Sequence, residues 1–416
     1  MLRSLTTRFG VALQYPEFRR LWTANASSQA ASWALIVTRG WLIYGMSGSS
    51  FLVGLSTFAA MGPMLVVPPI IGVLADRMDR RRILSIAYIV DIAQSVALMI
   101  LAATGLIEVW MIVVLSMVNG ISRATQLPTS QALAASLVPA DRLLNALSLN
   151  AATQHGSRLF GPGIVTPLLA IAGAPAAFGV SVLLYIFALT QARSMASQPP
   201  EPSSGRRFID DFVGGLAYVY DRPVLRLMLV ILVAHCGLTM AFESLLPSFA
   251  HNQLRAGEEG FGALMMGVGA GALVASLSVG GLQTHRGRGN ALIITGLVSG
   301  LGQVMLGLTS SLLVGVLAAA IMGGAQAAFM TMGQAVTQSI ATNEYRGRVA
   351  SINSFSLGGM MAMMNLFNGS IADTFGAQSL LLIYGVVFAA IVAVTMLPIT
   401  GRQVYGRQPI PEAQLA

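Results

Sequence analysis

Gly72-Val-Leu-Ala-Asp76-Arg77-Met-Asp79-Arg80-Arg81-Arg82 is a short charged bridge between two long apolar runs. Residues 51–75 before it carry no charge, and residues 83–104 after it carry one, Asp91. A membrane-spanning helix needs roughly 20 mostly apolar residues, and each run supplies them. Within the bridge, Gly72 permits close helix approach. Asp76 can accept hydrogen bonds at a membrane face, including those from a helix N-terminus. The four arginines anchor the loop to one side.

The rest of the chain repeats that pattern of apolar run and basic loop. Of 416 residues, 55% are hydrophobic and only 10% charged, against about 25% charged in a soluble domain. This excludes an ordinary soluble enzyme, a disordered chain and a single-pass receptor. A membrane β-barrel would alternate polar and apolar residues, and here the apolar stretches are unbroken. Apolar runs and their breaks predict twelve helices, at about 20–45, 51–75, 82–104, 109–136, 141–172, 175–196, 223–249, 260–283, 290–309, 311–339, 348–373 and 377–398. The longest polar interruption, Ser197 to Asp211, falls after the sixth. It predicts an N-terminal bundle (1–196), a linker (197–222), a C-terminal bundle (223–398) and a tail (399–416).

All 24 basic residues are arginine, and the formal net charge is +8. Twenty of them fall on one side of the predicted spans, Arg255 falls in a loop on the other, and Arg39, Arg123 and Arg158 fall within spans. This positive-inside bias predicts cytoplasmic termini and argues against nucleic acid as a partner. Met1 to Gln14 has no apolar core or small-residue cleavage site, so no removable signal peptide is expected. The single cysteine, Cys236, leaves no intrachain disulfide.

The two halves repeat at an offset near 207. Pro16 and Arg19 recur as Pro223 and Arg226, Gly72 and Arg80 as Gly280 and Arg288, and Arg142 and Ser148 as Arg348 and Ser354. A duplicated six-helix unit places a substrate cavity between the halves near the membrane midplane.

The Gly72–Arg82 bridge resembles the loop signature of the major facilitator superfamily, with Asp79 where that family usually has glycine. Arg123-Ala-Thr-Gln126 resembles the superfamily's fourth-helix motif, and Gly156 to Gly163, with Gly161 and Pro162, resembles the glycine-proline hinge motif of exporters. Pro128, Gln131-Ala-Leu, Val138-Pro-Ala-Asp141, Glu243-Ser-Leu-Leu-Pro247 and Arg346-Gly-Arg-Val349 are similar to the transmembrane secretion effector branch, which includes enterobactin exporters and macrolide efflux proteins. The resemblance implies an all-α polytopic membrane protein with twelve transmembrane helices in two pseudo-symmetric halves, the major facilitator fold. It also implies that Gly72, Asp76, Arg77, Arg80 and Arg81 form a cytoplasmic gating latch. The second copy, with Thr284 in place of the aspartate, has lost that charge.

Ionisable groups inside spans are costly and mark function by default. The candidates for proton coupling or cavity lining are Asp91, Arg123, Gln126, His155, Arg158, His235, Glu243, Gln326 and Asn365. Asp91 is within reach of pairing with Arg123 on the next helix, and Glu243 is the leading proton carrier. Arg39 is expected near the outer end of its helix, in structural pairing. With no phosphate loop, zinc motif or nucleophile triad, neither an enzyme nor a cofactor is expected. The expected protein is a monomeric, proton-coupled exporter of small amphipathic molecules, drug- or siderophore-like, in a bacterial inner membrane. An uptake symporter or lysolipid translocator on the same fold, and a non-transporting receptor or scaffold, are the alternatives.

Overall fold

A computed structural model of the chain describes residues 11–75, 78–139, 142–197, 208–279, 284–342 and 344–408. Asp76 and Arg77 lie outside them. The described residues are helical, with no strand among them. First come α1 (Pro16–Ser47), α2 (Ser50–Met61) and α3 (Val67–Ala75), the last two joined by a 3-10 turn at Gly62–Leu65. Next are α4 (Arg80–Ala103), α5 (Val109–Leu137), α6 (Leu143–Ser194), α7 (Phe208–Asp221) and α8 (Pro223–His235). A π turn, Cys236–Met240, leads to α9 (Leu246–Asn252) and α10 (Gly257–Val279). α11 (His285–Leu308), α12 (Leu312–Ile340), α13 (Arg346–Phe375), α14 (Ala377–Thr395) and α15 (Ile399–Val404) complete the chain.

Seven of the described helices are long and apolar enough to cross a membrane. One of them belongs to α6, whose 52 residues would run for about 78 Å at 1.5 Å per residue. That is more than twice a hydrocarbon core of roughly 30 Å. α6 breaks at Gly173, where φ is 73° and ψ is −176°, a conformation only glycine takes easily. Two further departures from the predicted elements have local causes. The seventh predicted helix, 223–249, is interrupted between Cys236 and Leu245, where amide side chains from other helices take up its backbone carbonyls. Phe208–Asp221, inside the stretch read as linker, is helical: Gly215 lets it approach α13, and Tyr218 stacks on Tyr345 with ring centroids 4.1 Å apart.

The loop at Asp79 explains its departure from glycine. The Asp79 carboxylate accepts from Arg81 N at 2.8 Å and so caps α4. It also accepts from Ser197 Oγ at 2.6 Å. Thr284, at the repeat position of Asp76, caps α11 by accepting from Gly287 N at 3.1 Å.

Burial is inverted relative to a soluble protein. Large apolar side chains such as Trp110, Leu183, Ile294, Leu313 and Val386 are exposed on the outer faces. Asp91, Gln94, Asn119, Glu243, Gln303, Gln326 and Asn365 are buried. One apolar cluster unites α1, α4, α5 and α6, and another unites α7, α8, α11, α12, α13 and α14. A third joins the two groups through Trp33, Val165, Phe242, Leu246, Phe261 and Leu264.

The groups also meet at the end farthest from the arginine-rich loops. Tyr44 Oη donates to Ser248 Oγ at 3.3 Å and accepts from Asn252 Nδ2 at 2.9 Å. Gly54 of α2 lies against the Asn365 carbonyl, and Gly369 of α13 against Ser50, with no room for a side chain at either. Asp373, in the last turn of α13, caps α2: it accepts from Ser50 N and Ser49 Oγ, both at 2.6 Å, and from Phe51 N at 3.1 Å. A carboxylate on a helix N-terminus gains from both hydrogen bonds and the helix dipole. Asp373→Ala is expected to weaken this closed end by about 1 kcal/mol. Spin-label distances between α2 and α13 should broaden at that end, and an unchanged distribution would remove Asp373 from the closure.

Candidate functional site: a polar cavity and two buried charge clusters

Toward the arginine-rich end the helices part around a cavity of about 230 Å³. Its walls are mostly uncharged and polar, with Asn25 and Gln29 from α1, Gln126 and Gln131 from α5, and Asn150 and Gln154 from α6. Among the described residues, Arg123 is the one charged group on its lining. A smaller gap beyond, about 20 Å³, is bordered by Arg39, Arg123 and Glu243. Arg123 is half-buried and makes no hydrogen bond or ion pair with a described residue.

The first charge cluster is built on one face of α5. Asn119, Ser122, Arg123 and Gln126 follow an i, i+3, i+4, i+7 spacing, which stacks them along a helix. Asp91 of α4 is fully buried opposite that face. Its Oδ1 accepts from Asn119 Nδ2 at 2.8 Å, and its Oδ2 accepts from Ser122 Oγ at 2.8 Å and Gln126 Nε2 at 2.5 Å. Asp91 is therefore held by three neutral donors, and the expected Asp91–Arg123 pair is not formed. Arg39 is the cation that joins this cluster. It is buried, not peripheral, and donates to Gln94 Oε1 at 2.8 Å and Asn119 Oδ1 at 3.2 Å. Asn119 thus links the buried anion to the buried cation. The polar i, i+3 pair Asp91 and Gln94 inside an apolar run was the signal for this network.

Asn119→Leu keeps the volume and removes both links. Each buried polar group left unpaired costs about 1–3 kcal/mol. A clear loss of thermal stability in detergent is the expected result, and an unchanged melting temperature would mean that Asp91 and Arg39 do not depend on Asn119.

The second cluster lies at the interruption of the seventh predicted helix. Gln326 of α12 donates to the Thr239 carbonyl, Asn368 of α13 to the Ala241 carbonyl, and Gln303 of α11 to the Leu238 carbonyl. Asn365 Oδ1 accepts from Ser244 N at 3.1 Å. These amides satisfy a non-helical backbone that could not survive in lipid without them. They hold Glu243 inside the protein, 2% exposed. Glu243 Oε1 lies 3.6 Å from Arg158 Nη2 of α6, and neither carboxylate oxygen has a hydrogen-bond partner among the described residues. The Arg158 guanidinium also lies over the rings of Trp33, at 4.6 Å, and Phe242, at 5.4 Å.

Of the remaining candidates, His155 is half-buried one turn before Arg158. His235 lies apart from the cavity, between the rings of Phe329 and Phe388, with Nε2 3.3 Å from Ser299 Oγ. Gly156 to Gly163, with Pro162, lies in unbroken helix. Gly161 packs against the Ala30 carbonyl and Trp33 of α1, and Gly163 against Met266 of α10. Gly72 ends in α3, and Arg80 and Arg81 begin α4.

The transmembrane secretion effector family matches residues 10–414. Macrolide efflux protein A of Streptococcus pyogenes is 23% identical over 385 residues, covering 91% of this chain and 95% of that protein. Enterobactin exporter EntS of Shigella boydii is 25% identical over 384 residues, covering 89% and 91%. Among solved structures, the nucleoside transporter NupG superposes with a TM-score of 0.73 at 9% identity, covering 91% of this chain and 98% of that one. A bacterial homologue of the human lysosomal transporter Spinster, in an inward-facing and unoccupied conformation, superposes with a TM-score of 0.68 at 15% identity, covering 96% and 99%. With apolar outer faces, a polar cavity between its helices and this match along nearly its whole length, the chain belongs to the transmembrane secretion effector family, multi-pass membrane transporters of the major facilitator superfamily.

Proposed function

We propose that this protein exports small amphipathic molecules from the cytoplasm, driven by protons moving the other way. The observation that carries the reading is the Glu243–Arg158 pair. It is an ionisable carboxylate without hydrogen bonds to described residues, paired across the two helix groups and bordering a gap shared with the cavity residue Arg123. Protonation of Glu243 would remove the attraction to Arg158 and weaken the contact between the groups. Asp91, satisfied by three neutral donors, suits a fixed structural anion better than a carrier.

The reading assigns twelve crossings in two six-helix halves, 1–196 and 223–398, with both termini on the arginine-rich, cytoplasmic side of a bacterial inner membrane, and it takes the protein to act as a monomer. Beyond the seven apolar spans, the break at Gly173 divides α6 into two crossings, α2 and α3 together make another across Gly62–Leu65, and α1, α5 and α13, of 32, 29 and 30 residues, supply the rest. On that topology the cavity opens inward, and Asp373 and Tyr44 belong to the closed outer end. Gly72, Asp76, Arg77, Arg80 and Arg81 would then latch the inner end when the cavity turns outward.

Flux in inverted membrane vesicles, with a catechol siderophore as the trial substrate, tests the reading. Uptake into the vesicles should rise several-fold when their interior is acidified and collapse with an uncoupler. Uptake indifferent to the pH gradient would refute proton coupling, and accumulation only in right-side-out vesicles would reverse the direction.

A further inference from the structure

The polar cavity has an apolar annex. Between α3 and α5 on one side and α13 on the other lies a cleft of about 330 Å³. Its walls include Leu65, Pro68, Ala124, Pro128 and Phe355, and it shares Met64, Leu127 and Gln131 with the polar cavity. The two spaces therefore adjoin, with those three side chains between them.

The cleft follows from how α13 meets α2 and α3. At the far end the glycines Gly54 and Gly369 bring backbones into contact. Three turns before Gly369, a side chain built on Gly358 would meet nothing within 4 Å. The helices thus diverge toward the arginine-rich end. Leu127 and Phe355 are 40% and 41% exposed there, on the walls of the cleft. The chemistry on its two sides is opposite. The cavity offers mainly amides, hydroxyls and one guanidinium that no described residue pairs, and the cleft mainly Leu, Pro, Met and Phe, with Ser351 and Ser354 on α13.

We infer that the transported molecule is an amphipathic anion that lies across both spaces. Its acidic head sits at Arg123 among the amides of the cavity, and its apolar part lies in the cleft beside Gly358. The inference rests on the transporter reading above and adds to it the substrate class. Charge complementarity sets the head: a neutral or cationic head would leave the Arg123 charge uncompensated. Shape and polarity set the tail, which is long and flexible enough to pass Leu127. Each methylene taken from water into such a cleft strengthens binding several-fold.

Binding to the full-length protein in lipid nanodiscs tests this, with empty discs subtracted for partitioning. The probes are decyl phosphate, butyl phosphate, inorganic phosphate and the uncharged decyl maltoside. The wild type should bind decyl phosphate at least about tenfold more tightly than butyl phosphate or decyl maltoside. Gly358→Trp should fill the cleft and bring the decyl and butyl affinities within about twofold of each other, with butyl phosphate unaffected. Ser354→Trp, one turn earlier on the same wall, repeats the test if the first variant does not fold. Arg123→Gln should lower decyl phosphate to the affinity of decyl maltoside. Inorganic phosphate binding as tightly as decyl phosphate would reduce the site to a free-anion site and overturn the inference. So would a chain-length preference that survives both tryptophan variants. Binding as described without vesicle flux would count against the transporter reading and leave this inference standing, whereas flux without a chain-length preference would do the reverse.

Discussion

Glu243→Gln should abolish accumulation of substrate against its gradient while leaving binding and downhill exchange in place. One charge crossing 100 mV yields about 2.3 kcal/mol, enough for a gradient of roughly 50-fold. A carrier must bind and release a proton as the cavity changes side, and glutamine keeps the size of glutamate without the titration. The carboxylate is 2% exposed, bears one ion pair at 3.6 Å and accepts no hydrogen bond from a described residue. Reconstituted vesicles under an imposed pH gradient provide the measurement. A Glu243→Gln variant that still concentrates substrate would move the coupling role to Asp91, whose three donors would then have to be broken in each cycle.

Removing the cation of the same pair should have the largest effect on stability. Arg158→Ala leaves Glu243 buried without its counter-charge, a change that costs about 3–5 kcal/mol in comparable buried pairs. It also removes the guanidinium from the faces of Trp33 and Phe242. The double variant Arg158→Ala with Glu243→Ala should be less destabilised than the sum of the single changes, because neither charge is then stranded. Melting curves of the four proteins give the coupling directly. Strict additivity would mean that the two side chains do not interact, whatever their separation in the resting form. The pair joins α6 to the interrupted seventh helix, so the coupling should also be felt in the balance between inward- and outward-open forms.

The helices were legible in the sequence because lipid imposes a simple rule. Every backbone group in a span must be satisfied internally, so apolar runs near 20 residues become helices. The runs predicted to end at 45, 75 and 104 end at Ser47, Ala75 and Ala103, and the predicted break between 172 and 175 holds Gly173. The loop Gly72–Arg82 pointed to the family, which the match over residues 10–414 bears out. Helix interruptions were less legible. Cys236–Leu245 is as apolar as a helix, and its opening depends on Gln303, Gln326, Asn365 and Asn368, which lie 65 to 127 residues away.

The candidate site divides along the same line. Sequence alone determined which residues were costly to bury: Asp91, Arg123, Arg158 and Glu243 stood out as charges in apolar runs, with Gln126 beside Arg123, whereas Asn119 and Ser122 joined the site only through their hydrogen bonds to Asp91. Pairing was decided by the tertiary structure. Asp91 and Arg123 are both inside neighbouring helices, yet the rotation of α4 against α5 turns Asp91 onto neutral donors and leaves Arg123 to the cavity. Arg158 and Glu243, 85 residues apart, meet because close-packed glycines such as Gly262 and Gly269 draw α10 against α6 beside them. Which residues are charged is written in the chain one position at a time. Which charge faces which depends on helix rotation and approach, and those are set by many small packing contacts between segments remote in sequence.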